Sequence, residues 1–296
     1  MSLWQKYLRP KTTYEAIQAL TSAPGPVLPI AGGTDLLLDL QQGRRAPVHT
    51  LVDLTSVAEM TVLELRGDEL FIGAAVPLSR IVASTLAGLH ARALVEACDL
   101  IAGLQVRNVA TLGGNVAHAL PAADGTIALT ALDAQAEVAG LNGTRRVPIL
   151  GLFIGPGKSA LKVGEELLVG FYIKTLKVSK NFRVSSAFKR IMRPQGVALP
   201  ILNVAVWLER QGGKIRQVRI AVGPGGPTPF RAAAAEQTLR GQKFSGTACD
   251  RALEALLDEA KFRTSPQRAS ADYRRHLVGV LFRDTLASAW ERAKAD

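Results

Sequence analysis

Two glycine pairs, some eighty residues apart, are where this sequence can do chemistry. Gly32-Gly33 follows the apolar run Val27-Leu28-Pro29-Ile30 and precedes the helical pattern Leu36-Leu37-Leu38-Asp39-Leu40. A strand that turns through glycine into a helix leaves backbone N–H groups pointing at whatever fills the turn, and the helix dipole favours an anion there. Glycine suits such a nest because a Cβ holds a phosphate oxygen away from the backbone, and because positive φ is often needed. Gly113-Gly114 has the same character within Ala110-Thr111-Leu112-Gly113-Gly114-Asn115, where Thr111 and Asn115 add side-chain donors. Two such loops converging on one ligand suit a diphosphate, and so a dinucleotide. On spacing alone a glycine pair is usually just a tight turn, and neither loop is G-x-G-x-x-G or G-x-x-x-x-G-K-[ST]. Asp35 would repel a phosphate that it faced, so its carboxylate is expected to point away or to cap the following turn.

The elements that must position these loops can be read from pattern. Thr12 with Glu15 forms a capping box for a helix running through Ile17 and Leu20 to the breaker Ala23-Pro24-Gly25-Pro26. Strands are expected at 27–30, 50–53, 61–66 and 69–74, with Gly67-Asp68 as a hairpin turn. A helix is expected over 88–102, then the second glycine loop and Pro121-Ala122-Ala123-Asp124. A further hairpin turns at Asn142-Gly143. The character changes after 171–175: 177–181 is a polar bridge, which places a domain boundary between residues 1–176 and 177–296. Beyond it, strands 183–189, 202–210 and 214–223 read as an antiparallel meander, followed by helices 232–239, 247–262 and 271–294. Two α+β domains result.

Composition removes several classes of function. The 296 residues are 48% hydrophobic and 21% charged, as in an ordinary globular protein. The start MSLWQKYLRP is not a secretory signal, and the apolar stretch 199–208 is broken by Pro200 and Asn203 and too short to span a bilayer. A cytoplasmic location is therefore expected, with no transmembrane segment. Two cysteines, Cys98 and Cys249, cannot form a disulfide framework, a four-Cys zinc site or an iron–sulfur cluster. The four histidines show no metal-ligand spacing. His118, just past the second loop, is a candidate to approach a bound cofactor, against the plainer reading of a surface histidine. The net charge of +11 comes from scattered Lys and Arg, and aromatics are only 5%, so no nucleic-acid partner is expected. The positive field suits an anionic cofactor or an acidic partner instead.

Taken together, Ala31-Gly32-Gly33-Thr34-Asp35, Ala110-Thr111-Leu112-Gly113-Gly114-Asn115 and Pro121-Ala122-Ala123-Asp124 resemble the FAD-binding medium subunit of the molybdenum hydroxylases, the family of xanthine dehydrogenase and aerobic carbon monoxide dehydrogenase. The resemblance continues through Gly164-Glu165-Glu166-Leu167-Leu168, Ser186-Ala187-Phe188-Lys189-Arg190, residues 223–232 and Asp272-Tyr273-Arg274-Arg275, so it spans nearly the whole chain in order. It implies an α+β fold: a two-subdomain FAD-binding domain of the vanillyl-alcohol-oxidase-like type, then a domain of three-stranded antiparallel sheet plus helical bundle.

For individual positions the resemblance implies the following. Pro29, Ile30, Ala31, Gly32, Gly33, Thr34, Asp35 and Leu36 would wrap the FAD pyrophosphate. Thr111, Gly113, Gly114 and Asn115 would close over the diphosphate and ribityl chain from the other side. Asp124 would accept from a cofactor hydroxyl. Ile101 and Leu168 would wall the rings, and Lys189 would lie near the flavin or its phosphate, where a cation stabilises reduced, anionic flavin. The plainer reading makes Ile101 and Leu168 core residues and Lys189 a solvated charge. The stretch Arg193-Pro194-Gln195-Gly196-Val197-Ala198 departs from the more acidic segment of many members, which bears on flavin shielding and oxidant choice. The implied partners are a large molybdenum-binding subunit and a small subunit with two [2Fe–2S] clusters, in a dimer of heterotrimers. This chain's FAD would take electrons from the clusters and pass them to an external acceptor. The alternative is a stand-alone FAD-dependent oxidoreductase with its own small substrate.

Overall fold

The computed structural model describes residues 2–176, 179, 181–193 and 199–294. The chain opens with a small βαβ unit: β1 (Lys6–Leu8), α1 (Thr13–Ser22), β2 (Val27–Ile30), α2 (Leu36–Gln41) and β3 (Thr50–Asp53). Its three strands are parallel, in the order β1-β3-β2. The capping box forms as expected on one side: Thr12 Oγ1 accepts from the Glu15 N–H at 3.1 Å. Glu15 reaches back one residue further than the motif predicts, accepting from the Lys11 N–H at 2.7 Å.

A second unit follows. It comprises β4 (Leu63–Arg66), β5 (Glu69–Gly73), α3 (Leu78–Val82), α4 (Thr85–His90), α5 (Arg92–Leu100), α6 (Leu104–Arg107), α7 (Leu112–Ala117), α8 (Asp124–Ala131), β6 (Gln135–Gly140), β7 (Gly143–Pro148), the short β8 (Phe153–Gly155) and β9 (Lys158–Ser159), and β10 (Leu167–Lys174). Five strands form an antiparallel sheet, ordered β4-β5-β10-β6-β7, with the helices packed on it. The single helix expected over 88–102 is two helices. Ala91 (φ −138°, ψ 47°) leaves the helical region between α4 and α5, so the axis turns there.

The third unit carries β11 (Arg183–Met192), β12 (Pro200–Gln211), β13 (Lys214–Gly223), β14 (Phe230–Arg231), α9 (Ala233–Leu239), α10 (Gly246–Glu259) and α11 (Ala271–Arg292). Three long antiparallel strands make the sheet, and the two-residue β14 pairs on the edge of β13. The helices bury Leu253, Leu256, Val278, Phe282 and Leu286 against Val204, Val206, Ile220 and Val222. At about 25 cal/mol per Å² of apolar area, such side chains each contribute about 1.5–3 kcal/mol. The opposite face of this sheet meets the second unit through Phe188, Ala205 and Ala221, which share its core with Leu94, Cys98 and Ile127. Among the described residues no helix is long and apolar enough to cross a membrane.

Candidate functional site

The edge of the parallel unit, the N-terminal ends of α7 and α8, and the start of the third unit enclose a cleft of about 550 Å³. That size belongs to a cofactor-class site rather than a metal or single-anion site. Among the described residues no group of three His, Cys, Asp or Glu is placed to hold a metal ion.

The first glycine loop lines the cleft from Pro29 to Leu36. Gly33 has φ +69°, the left-handed conformation that glycine adopts without strain. Among the described residues the N–H groups of Gly32, Gly33, Thr34 and Asp35 have no protein acceptor, leaving four consecutive donors at the cleft. Gly32 is required for a second reason. A Cβ there would stand 2.1 Å from the Val109 carbonyl oxygen and 2.7 Å from the Ala110 Cα, so its absence lets the two glycine segments touch. Asp35 stands at the N-cap of α2 but makes no side-chain cap hydrogen bond, and its side chain is exposed at the cleft. Of the two expectations, pointing away or capping the turn, the cap does not form, because the residue already has helical φ and ψ (−94°, −47°).

The second glycine segment differs in kind. It is the first turn of α7, not an open loop: Thr111 caps the helix by accepting from the Gly114 N–H at 3.1 Å. The Leu112 N–H donates to Val76 O at 3.3 Å, Gly113 N–H to Ala74 O at 2.8 Å, and Asn115 N–H to Thr111 O at 3.0 Å. All four amides from Leu112 to Asn115 are therefore spent within the protein. Gly113 faces away from the cleft, where a Cβ would meet the Ala74 carbonyl oxygen at 2.5 Å. Thr111, Gly114 and Asn115 do line the cleft. Asn115 Oδ1 is buried without a hydrogen-bond partner among the described residues.

The floor is a buried polar junction. Asp124, at the start of α8, accepts from Arg190 Nη1 on one oxygen and from Asn203 Nδ2 on the other, the latter at 2.6 Å. Arg190 also donates to the Leu100 carbonyl, and Asn203 to the Ala122 carbonyl at 3.0 Å. Burial pushes the Asp124 carboxyl up to about 6, against the opposing pull of Arg190 and Asn203. Asp124 thus reaches the cleft as expected, yet protein donors already engage both its oxygens. A carboxylate has about four acceptor sites, so one further donor can still be accommodated.

Two expected contacts lie elsewhere. Leu168 is buried in the sheet-and-helix core, paired with Val138 across β10 and β6. Lys189 lines a shallow surface depression with Asp284, Ser288 and Glu291 of α11. Strand alternation explains the miss: on β11, Arg190 faces the cleft, so Lys189 must face the helices. Ile101 does wall the cleft, at a turn where Arg107 Nη1 donates to the carbonyls of Ile101 (3.1 Å) and Ala102 (2.8 Å). His118 is exposed on the rim. The departing stretch at 194–198 lies outside the described residues.

Sequence reasoning missed Arg190, Asn203, Arg45, Lys162 and Arg268. Asn203 had a signal: one polar residue inside the apolar strand 201–206 must find buried partners. Arg45, Lys162 and Arg268 line the cleft, and among the described residues none of the three forms an ion pair. Of the acids in the lining, Asp124 pairs with Arg190, Glu166 pairs with Arg145 and also faces Lys162, and Asp35 has no ion pair among the described residues, so Arg45 and Arg268 leave the wall with a surplus of positive charge. Together the open N–H cradle, the free cations and the orphaned Asn115 oxygen fit a phosphate-bearing cofactor with polar hydroxyls.

Comparison with known proteins agrees with this geometry. A family model described as the FAD binding domain in molybdopterin dehydrogenase matches residues 3–173, and one for the CO dehydrogenase flavoprotein C-terminal domain matches residues 186–289. The xanthine dehydrogenase FAD-binding subunit of Escherichia coli O157:H7 is 32% identical over 284 residues, covering 96% of this chain and 95% of that protein. The carbon monoxide dehydrogenase medium chain of Hydrogenophaga pseudoflava is 28% identical over 287 residues, covering 97% of each. A solved structure of carbon monoxide dehydrogenase from Hydrogenophaga pseudoflava, lacking the Mo-pyranopterin moiety, superposes with a TM-score of 0.90 at 28% identity, covering 98% of both chains.

Proposed function

Because the chain belongs to the family of FAD-binding subunits of molybdopterin dehydrogenases, we propose that its cleft holds FAD and that the chain serves as the electron-transferring flavoprotein subunit of a molybdenum hydroxylase complex. The observation that carries this reading is the run of four unpaired N–H donors from Gly32 to Asp35, set against a cleft with surplus positive charge. When bound, FAD supplies the redox chemistry, accepting electrons and releasing them one or two at a time.

The chain's own residues bind and orient. The 29–36 loop holds the diphosphate through backbone donors. Thr111, Gly114 and Asn115 form the facing wall, and there the Asn115 side chain does the polar work because the local amides are spent. Asp124 accepts from a cofactor hydroxyl on a remaining lone pair, its carboxylate fixed by Arg190 and Asn203. Ile101 shields a ring from water. The division into an FAD domain (1–176) and a C-terminal domain (177–296) belongs to the same proposal, since the bridge at 177–181 lies mostly outside the described residues. So do the partners: a large molybdenum-binding subunit, a small [2Fe–2S] subunit and an external acceptor, in a dimer of heterotrimers working in the cytoplasm.

The test is the visible spectrum of the purified chain, with chromatography of any nucleotide released on denaturation. FAD at one equivalent per chain is the expected result. A chain that takes up no flavin even after incubation with excess FAD would overturn the reading.

A further inference from the structure

Next to the cleft, the loop preceding α11 gathers positive charge with no ion-paired acid among the described residues. The loop is closed on itself: Ser265 N–H donates to Ala269 O at 2.9 Å, Arg268 N–H to Ser265 O at 3.0 Å, and Ala271 N–H to Thr264 Oγ1 at 3.1 Å. It carries Arg263 and Arg268. Beneath it, Arg274 from the first turns of α11 is buried, donating Nη1 to the Arg263 carbonyl at 2.6 Å. Arg193, at the end of β11, ties the loop from the other side through the Gln267 carbonyl at 2.8 Å.

Three features show that this is more than surface charge. Among the described residues no carboxylate lies within ion-pair distance of Arg193, Arg263, Arg268 or Arg274; Asp272 on the same helix is exposed and pairs with none of them. Burial and the neighbouring guanidinium groups pull Arg268 and Arg274 below the ordinary arginine range, the direction that like charges in close company impose. Arg274 Nε is buried with no hydrogen-bond partner among the described residues, an unusual state in a residue only 2% exposed. Holding several like charges together without a counterion is costly, and an oxyanion is the species that relieves it, because guanidinium forks match phosphate and carboxylate oxygens. The 22-residue α11 presents its positive dipole end to the same spot. Arg268 lines the cleft, so the cluster opens onto it.

We infer that Arg263, Arg268 and Arg274, supported by Arg193, form an oxyanion subsite beside the cofactor cleft that takes a phosphate group of a second, nucleotide-type ligand. This rests on the reading that FAD occupies the cleft with its diphosphate on the Gly32–Asp35 amides. The subsite therefore gives an acceptor bearing phosphate a point of attachment at the cleft mouth.

The test is equilibrium dialysis of labelled inorganic pyrophosphate against the full chain, both flavin-free and FAD-loaded. One bound pyrophosphate per chain is expected in the FAD-loaded form, and a second in the flavin-free form, where the Gly32–Asp35 amides stand open. Affinity should fall about tenfold in Arg268→Gln and in Arg263→Gln, the loss of one charge-assisted contact each. Arg240→Gln, which removes a cation remote from the loop, should leave it unchanged. The charge-preserving Arg268→Lys should retain most of the binding, so a folding defect in one variant does not decide the matter. Pyrophosphate binding that is absent, or equally strong in the Arg263 and Arg268 variants, overturns the subsite. An FAD-loaded chain that retains no pyrophosphate overturns a separate ligand and assigns the arginines to the cofactor's own diphosphate. A chain that takes no FAD yet binds pyrophosphate at these arginines refutes the cofactor reading and leaves the oxyanion subsite standing.

Discussion

The two glycine pairs look alike in sequence and do opposite work. At Gly32-Gly33 the chain turns with positive φ and leaves four amides open to the cleft. At Gly113-Gly114 it enters a capped helix and spends every amide from Leu112 to Asn115 on neighbouring backbone or on Thr111. In the first pair Gly33 takes the positive φ of the turn that presents the donors, while Gly32 lets that turn touch the 109–110 backbone; in the second, Gly113 lets α7 lie directly on the 74–78 segment, where Thr111 bridges to Pro77. A glycine pair reports that something comes close to the backbone. Whether the visitor is a ligand or another strand depends on where the hydrogen bonds go.

Substitutions can break or sharpen this contrast. The largest effect belongs to Gly32→Ala. Its Cβ would sit 2.1 Å from the Val109 carbonyl oxygen, so the backbone on one side or the other must shift. Overpacking of this kind costs about 1–3 kcal/mol, and because the strain falls on the loop that presents the donors, FAD affinity should drop by up to about a hundredfold. Fluorescence titration of FAD into the folded variant measures it; an affinity within threefold of wild type would erase the distinction. Gly113→Ala should do the reverse. Its Cβ meets Ala74 at 2.5 Å, so denaturant unfolding should show a loss of about 1–3 kcal/mol, while the folded fraction keeps its FAD affinity. Thr111→Val removes the cap on α7 and should cost about 1 kcal/mol in the same unfolding assay. Gly114→Ala is the mildest, since the new Cβ meets only Thr111 Oγ1, at 3.2 Å. The helix-propensity gain of up to about 1 kcal/mol offsets that contact, and thermal unfolding should move little in either direction.

The parts legible in sequence were those with a local signature. The Thr12 cap, the turns at Gly67-Asp68 and Asn142-Gly143, and the three long strands of the third unit follow from turn chemistry and alternation. The cleft wall at 29–36 was legible because strand, glycine turn and helix are contiguous. The remainder depended on long-range pairing, which no window of sequence contains. Arg190 meets Asp124 from 66 residues away and Leu100 from 90, so the choice between Lys189 and Arg190 turned on which face of β11 packs against α11. The helical state of Gly113 depended on Ala74 and Val76 arriving as acceptors. The arginine cluster was invisible because Arg193, Arg263, Arg268 and Arg274 are brought together only by the closing of the 263–269 loop over α11.

The central claim is that one glycine pair binds and the other builds, and amide hydrogen exchange with and without FAD tests it most directly. The account predicts fast exchange at Gly32, Gly33, Thr34 and Asp35 in the flavin-free chain and strong protection once FAD is bound. It also predicts that Leu112 to Asn115 are protected in both states. Protection gained on FAD binding at 112–115, with none gained at 32–35, would contradict it.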